Sequence, residues 1–133
     1  MKAKKNRKEK KAKIYFTIAG TKYFHGREFF EAGQTVRLVK EPDNEADHEA
    51  IKVEMKGLGQ VGYVANSPYT VIGESWSAGR IYDRIGETAV GKVLFVTGHG
   101  ILCRLRREDA DTKNVVGTSE DLQEREPAAA AEQ

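Results

Sequence analysis

Val36-Arg37-Leu38-Val39-Lys40-Glu41-Pro42-Asp43-Asn44-Glu45-Ala46-Asp47-His48-Glu49-Ala50-Ile51-Lys52-Val53 sets two short apolar alternations on either side of a polar corner. On the first side Val36 and Leu38 alternate with Arg37; on the second, Ile51, Val53 and Met55 alternate with Ala50, Lys52 and Glu54. That period of two is the pattern of half-buried strands. Between them Pro42 fixes its own φ, and Asp43, Asn44 and Asp47 are able to hydrogen-bond nearby backbone amides. The corner is therefore held in shape, side chains not used locally point outward, and it is the first place to look for a site.

Working outward, Lys56-Gly57-Leu58-Gly59 reads as a tight hairpin turn that returns the chain as a strand over residues 60–64. Upstream, Ile14, Phe16 and Ile18 share a face of a first strand; Gly20 marks a bend, after which Lys22-Tyr23-Phe24-His25 resumes the strand with aromatics. Downstream, Asn66-Ser67-Pro68 reads as a helix start, and a second short helix is expected over residues 80–85. Residues 90–96 are strand-like, and Gly98-His99-Gly100 turns them into a last strand over 101–105. The expected fold is mainly β: about six strands in a small, closed or nearly closed barrel, with one or two short helices before the last hairpin.

The charge is unevenly spread. Residues 1–13 carry net +7, residues 14–107 net +1 and residues 108–133 net −6, behind a total of +2 over 133 residues. The expected organisation is a basic disordered arm (1–13), a barrel domain (14–107) and an acidic, Ala-rich disordered tail (108–133), since neither end has the apolar residues to offset the entropy of ordering. The arm has no hydrophobic run, so it reads as neither a signal peptide nor a membrane span. Cys103 is the single cysteine, which leaves no disulfide framework and points to the cytoplasm.

Enzymatic motifs are missing: no His-Glu-x-x-His, no paired cysteines, no G-x-S-x-G and no phosphate-binding G-x-x-x-x-G-K-[ST]. His25, His48 and His99 lie far apart without ligand-like spacing. The expectation is a non-enzyme without cofactor or metal. Nucleic-acid binding fits better, because small barrels hold single strands on aromatic platforms with basic rims. Tyr23, Phe24 and Tyr63 are the candidate platforms, and Lys22, Arg37 and Lys52 are among the candidate phosphate partners. Core packing competes for each aromatic and is the stronger reading for Phe24, whereas the tyrosine hydroxyls favour water or a partner.

The segments Gly-Thr-Lys-Tyr-Phe-His-Gly (20–26), the opening stretch (36–53) and Gln-Val-Gly-Tyr-Val (60–64) together resemble the HIRAN domain family in order and spacing, and Ser77-Ala78-Gly79-Arg80-Ile81-Tyr82-Asp83 resembles its stand-alone bacterial form. The resemblance implies an OB-like barrel that recognises single-stranded DNA and its free 3′ end, in DNA repair and replication-fork processing alongside other DNA-processing proteins. Carried over by position, it implies that Lys22 contacts phosphate, Tyr23 stacks, Asn44 and Asp47 line the end pocket, and Tyr63 lies on the strand beside it. A carboxylate at Asp47 suits a terminus, since it accepts a hydroxyl proton and repels a continuing phosphate. Ala46 departs from the family, whose fork-acting members place an aromatic there, and Asp43 and Glu45 add negative charge. Asp47 therefore has a second reading, tying the turn to the amides near Ala50. Two further readings stand: a protein-interaction barrel that has lost the pocket, and binding by the basic arm alone.

Overall fold

The two alternations that flank the corner form an antiparallel pair, β2 (Thr35–Lys40) and β3 (Ile51–Met55), with Leu38 opposite Val53 and Lys40 opposite Ile51. They belong to a computed structural model that describes residues 13–110. The remaining strands among the described residues are β1 (Tyr15–Ala19), β4 (Gly59–Val64), β5 (Thr88–Thr97) and β6 (Gly100–Leu105), and the α-helix among them is α1 (Ala78–Tyr82). They close into a barrel in the order β1-β4-β3-β2-β5-β6, every pairing antiparallel. Residues Ile14–Ala110 make one compact unit; the expected mobility of the arm and tail falls on residues outside the described ones, apart from positions 13 and 108–110.

The interior is filled by the alternate positions the sequence marks. Phe16, Ile18, Leu38, Ile51, Val53, Ile101 and Cys103 have no exposed surface, and burial of side chains of this size contributes about 1.5–3 kcal/mol each. Two bulges adjust the registers. One falls between Val53 and Glu54, making Val61 the extra, buried residue of β4; the other falls between Val93 and Phe95 in β5. Such insertions bend and twist the strand, which helps a six-stranded sheet close.

Closure between β1 and β4 is short, with only Ile18 opposite Val64 and Ala19 opposite Tyr63. The segment after β4 completes the seam: Ala65 N donates to Thr17 O at 2.8 Å and Trp76 N to Tyr15 O at 2.6 Å. The buried Thr17 hydroxyl lies 2.9 Å from Ser75 Oγ and accepts from Ile72 N at 3.1 Å, so its polar atom is satisfied inside the core. At the other edge of β1, Leu105 N donates to Ile14 O at 2.8 Å.

The helix expected from Asn66-Ser67-Pro68 does not form. Ser67 starts a single turn, accepting from Tyr69 N at its hydroxyl and from Val71 N at its carbonyl, after which the chain is drawn onto β1 through Ile72 and Ser75. The helix expected at 80–85 begins two residues earlier, at Ala78, because Ser77 caps it by accepting from Arg80 N at 3.3 Å. Cys103 is fully buried, and desolvation pushes its thiol far above the usual range. Iodoacetamide at mildly alkaline pH should leave the folded protein unmodified and label it once in denaturant, read by intact mass; rapid labelling of the native protein would contradict the packing.

Candidate nucleic-acid interface

After β1 the chain leaves the sheet at Gly20, whose φ of 73° and ψ of 18° lie in the left-handed region open to glycine. That bend feeds a 3-10 turn, Thr21–Tyr23, closed by Tyr23 N to Gly20 O at 3.1 Å and by Phe24 N and Gly26 N, both to Thr21 O at 2.9 Å. Tyr23 and Phe24 therefore sit on a turn and not on the resumed strand their aromatic character suggested. Gly20 redirects the backbone, and both edges of β1 are already paired with β4 and β6. His25 Nε2–H donates to Leu58 O at 2.9 Å, fastening the turn to the β3–β4 hairpin, and its ring meets Phe29 edge-on at 6.2 Å.

Tyr23 is left 74% exposed, with the Lys22 ammonium 5.2 Å from its ring centroid. An exposed ring pays no desolvation penalty when a planar ligand covers it, and the lysine supplies a cation beside it. Phe24 is 37% exposed and meets Tyr63 edge-on at 6.1 Å. Tyr63 lies opposite both Ala19 and Lys52, and its hydroxyl donates to Glu41 Oε1 at 2.9 Å. On the same outer face Arg37 and Lys52 share one carboxylate, Glu54, at 3.7 and 3.4 Å. Partly exposed pairs of this kind are worth about 0–1 kcal/mol, so Glu54 holds both cations only weakly.

The polar corner is built by its own side chains. Asn44 Oδ1 accepts from Ala46 N at 2.9 Å and Asp47 N at 3.1 Å, and its amide donates to Glu41 Oε1 at 3.1 Å. Asp47 Oδ1 accepts from Glu49 N at 2.9 Å, Oδ2 accepts from Asn66 Nδ2 at 2.8 Å, and the Asp47 carbonyl accepts from Ala50 N at 3.0 Å. Each carboxylate oxygen keeps acceptor capacity beyond that one bond. Asn66 in turn accepts from Gly79 N at 2.9 Å, tying the first turn of α1 to the corner. Glu41 and Asn66 are the two residues sequence reasoning missed here. Asn66 was legible as a cap, but the amide it serves lies thirteen residues on.

Residues 40–46 and Tyr63 line an open groove of about 680 Å³; Tyr23 and Asp47 are not part of its lining. Lys40 reaches across to the face of Tyr82 on α1, 4.3 Å from the ring centroid. The site residues thus fall into linked groups: Lys22 with Tyr23; Phe24 with Tyr63, Glu41, Asn44 and, through Asn44, Asp47 and Asn66; Arg37 and Lys52 through Glu54. Among the described residues no group of three or more His, Cys, Asp or Glu side chains is placed to hold a metal ion, and no helix is long and apolar enough to cross a membrane.

A match to the HIRAN domain covers residues 11–81, more than half of the chain. The chain belongs to the HIRAN domain family. Its barrel is similar to the crystal structure of the HIRAN domain of human HLTF, with a TM-score of 0.51 and 20% identity over 71% of this chain and 73% of that one. A protein from Lactobacillus plantarum matches with a TM-score of 0.46 and 24% identity, over 71% of this chain and 97% of that one. No curated protein sequence matches. The HLTF likeness shows the fold, and membership of the HIRAN family supports a nucleic-acid-binding role for this chain.

Proposed function

We propose that this HIRAN domain binds single-stranded DNA and captures its free 3′-hydroxyl end. The observation that carries the reading is the Tyr23 ring, 74% exposed on a turn pinned at Gly20 and His25, with the Lys22 ammonium beside it. A base stacks on Tyr23 while Lys22 meets the neighbouring phosphate. Lys52 and Arg37 exchange Glu54 for further phosphates, and Phe24 and Tyr63 back the platform. Asp47 accepts the terminal hydroxyl proton with its remaining acceptor capacity, and Asn44 holds the corner that presents it. The lone buried cysteine fits a reducing compartment, and we place this work in the cytoplasm, where free 3′ ends arise during repair and at stalled forks and other DNA-processing proteins act on them.

An oligonucleotide ending in a 3′-hydroxyl is expected to bind about tenfold more tightly than its 3′-phosphate twin, because the carboxylate accepts the first and repels the second. Asp47→Asn should shrink that ratio toward one; its amide oxygen still accepts from Glu49 N, its NH2 gives up the bond from Asn66, and a thermal melt beside the titration checks that the corner stays folded. Equal affinity of the unmodified protein for the two oligonucleotides, or for a circular single strand, ends the terminus reading.

One observation favours a second reading. The groove beside Tyr63 carries Glu41, Asp43 and Glu45 against the single cation Lys40, a surface that suits a basic protein segment better than a phosphate. On that reading the barrel is an interaction module, Tyr23→Ala has no effect on oligonucleotides, and a Lys/Arg-rich peptide perturbs the amides of residues 43–46.

A further inference from the structure

We infer that the outer face of β5 and β6 carries a second nucleic-acid contact, a basic groove that takes phosphodiester backbone. In the barrel register Lys92 stands directly opposite Arg104, with Thr35 beyond Lys92 on β2 and Tyr15 beyond Arg104 on β1. Directly opposed residues share a face, and like charges so placed destabilise a sheet. The flanking Val93, Cys103 and Leu105 are buried, so the lysine and the arginine are turned outward together. The β2–β3 face resolves the same situation by alternating sign, with Arg37 opposite Glu54 at 3.7 Å. Here no carboxylate intervenes.

Lys92 and Arg104 lie in a groove of about 520 Å³ whose other charged lining residues are Arg106, Arg107 and Glu108. Arg106 is already engaged, bonded to Asp109 at 3.0 Å and 3.9 Å from Glu108. Lys92, Arg104 and Arg107 enter no ion pair among the described residues. Three cations without an ion-pair partner, against the single lining carboxylate of Glu108, make one concave surface a site for an anion, and a guanidinium's planar fork matches phosphate oxygens. No aromatic side chain lines the groove, so it offers bases no stacking platform. It therefore reads the backbone and accepts a duplex as readily as a single strand.

The barrel order places β5 across from β4 and β6 across from β3. A strand end held at Tyr23 and Tyr63 and a phosphate row held here consequently belong to different segments of nucleic acid. This contact stands independently of the 3′-end reading: one site distinguishes termini, the other follows backbone.

The test uses the full chain and a short blunt duplex whose 3′ ends are both phosphorylated, titrated by fluorescence anisotropy over a range of salt. Lys92→Gln/Arg104→Gln is expected to make the slope of log K against log salt shallower by about 1.8, at about 0.9 per lost phosphate contact. Affinity at low salt should fall roughly tenfold or more. Residues 1–13 are common to both proteins, so their contribution cancels. The same double substitution should leave the 3′-hydroxyl over 3′-phosphate preference for a single strand unchanged, which separates this site from the proposed end site. Because the substitution relieves a like-charge contact, the melting temperature should not fall; if the variant nonetheless folds poorly, duplex-induced amide shifts at Thr35, Lys92 and Arg104 of the unmodified protein decide. An unaltered slope in a folded variant, no shifts at those amides, or equal competition by a polyglutamate peptide would overturn the assignment, the last giving the groove to an acidic protein instead.

Discussion

Tyr23→Ala weakens binding of a single-stranded oligonucleotide roughly five- to hundredfold and leaves the melting temperature where it was. The first half follows from the energy of base–aromatic stacking, about 1–3 kcal/mol per base. The second follows from the 74% exposure of the ring, which contributes little to the core. Tyr23→Phe separates the contributions, since it keeps the platform and removes the hydroxyl; affinity close to the original is expected. Both are read by anisotropy titration beside a thermal melt. A large loss of stability with Tyr23→Ala would mean that the ring is structural, and unchanged affinity would move the binding surface elsewhere on the barrel.

Phe16→Ala costs about 3–5 kcal/mol of stability, the range for emptying a fully buried phenylalanine site. Phe16 has no exposed surface, and its ring lies against the backbone of Gly91, where a Cβ would come within 2.7 Å of the ring carbon Cζ and 2.8 Å of Cε1. Gly91→Ala alone therefore overpacks the same spot, at about 1–3 kcal/mol. The double variant should be markedly more stable than the sum of the two losses predicts, because the added methyl occupies part of the space the ring vacates. Chemical denaturation of the four proteins gives the cycle. Strict additivity would show that ring and glycine do not share the space the structure gives them. The result matters beyond the core, since Gly91 is also a lining residue of the basic groove and adjoins Lys92.

The strands were legible because they obey a period of two over a small core: Phe16/Ile18, Val36/Leu38, Ile51/Val53 and Ile101/Cys103 all turn inward as the alternation requires. The segment at 22–25 was not. Its aromatics carry strand propensity, but the left-handed Gly20 and the capture of two amides by Thr21 O override it. At Ser67 the local signal for a helix start was real and yielded one turn, since contacts to Thr17, far away in sequence, take the chain after it. In the corner, the bonds of Asn44 and the Asp47 bond to Glu49 are local and readable, whereas the Asp47–Asn66 and Tyr63–Glu41 pairs depend on the folded barrel. The basic groove was the least visible. Counting back from Thr97 opposite Gly100, an unbroken ladder would set Lys92 against Leu105, and only the bulge beside Phe95 brings it opposite Arg104.

The seam between the first and last strands has an architectural consequence. Ile14 and Leu105 are hydrogen-bonded neighbours at 2.8 Å, so the first strand of this barrel begins where the last one ends. A unit with such doorways can be spliced into a loop of a host protein without prying the loop's two stems apart, the geometry that favours insertion and circular permutation. The same barrel is thereby suited to serve as a cassette, equally at home alone or carried within a larger machine.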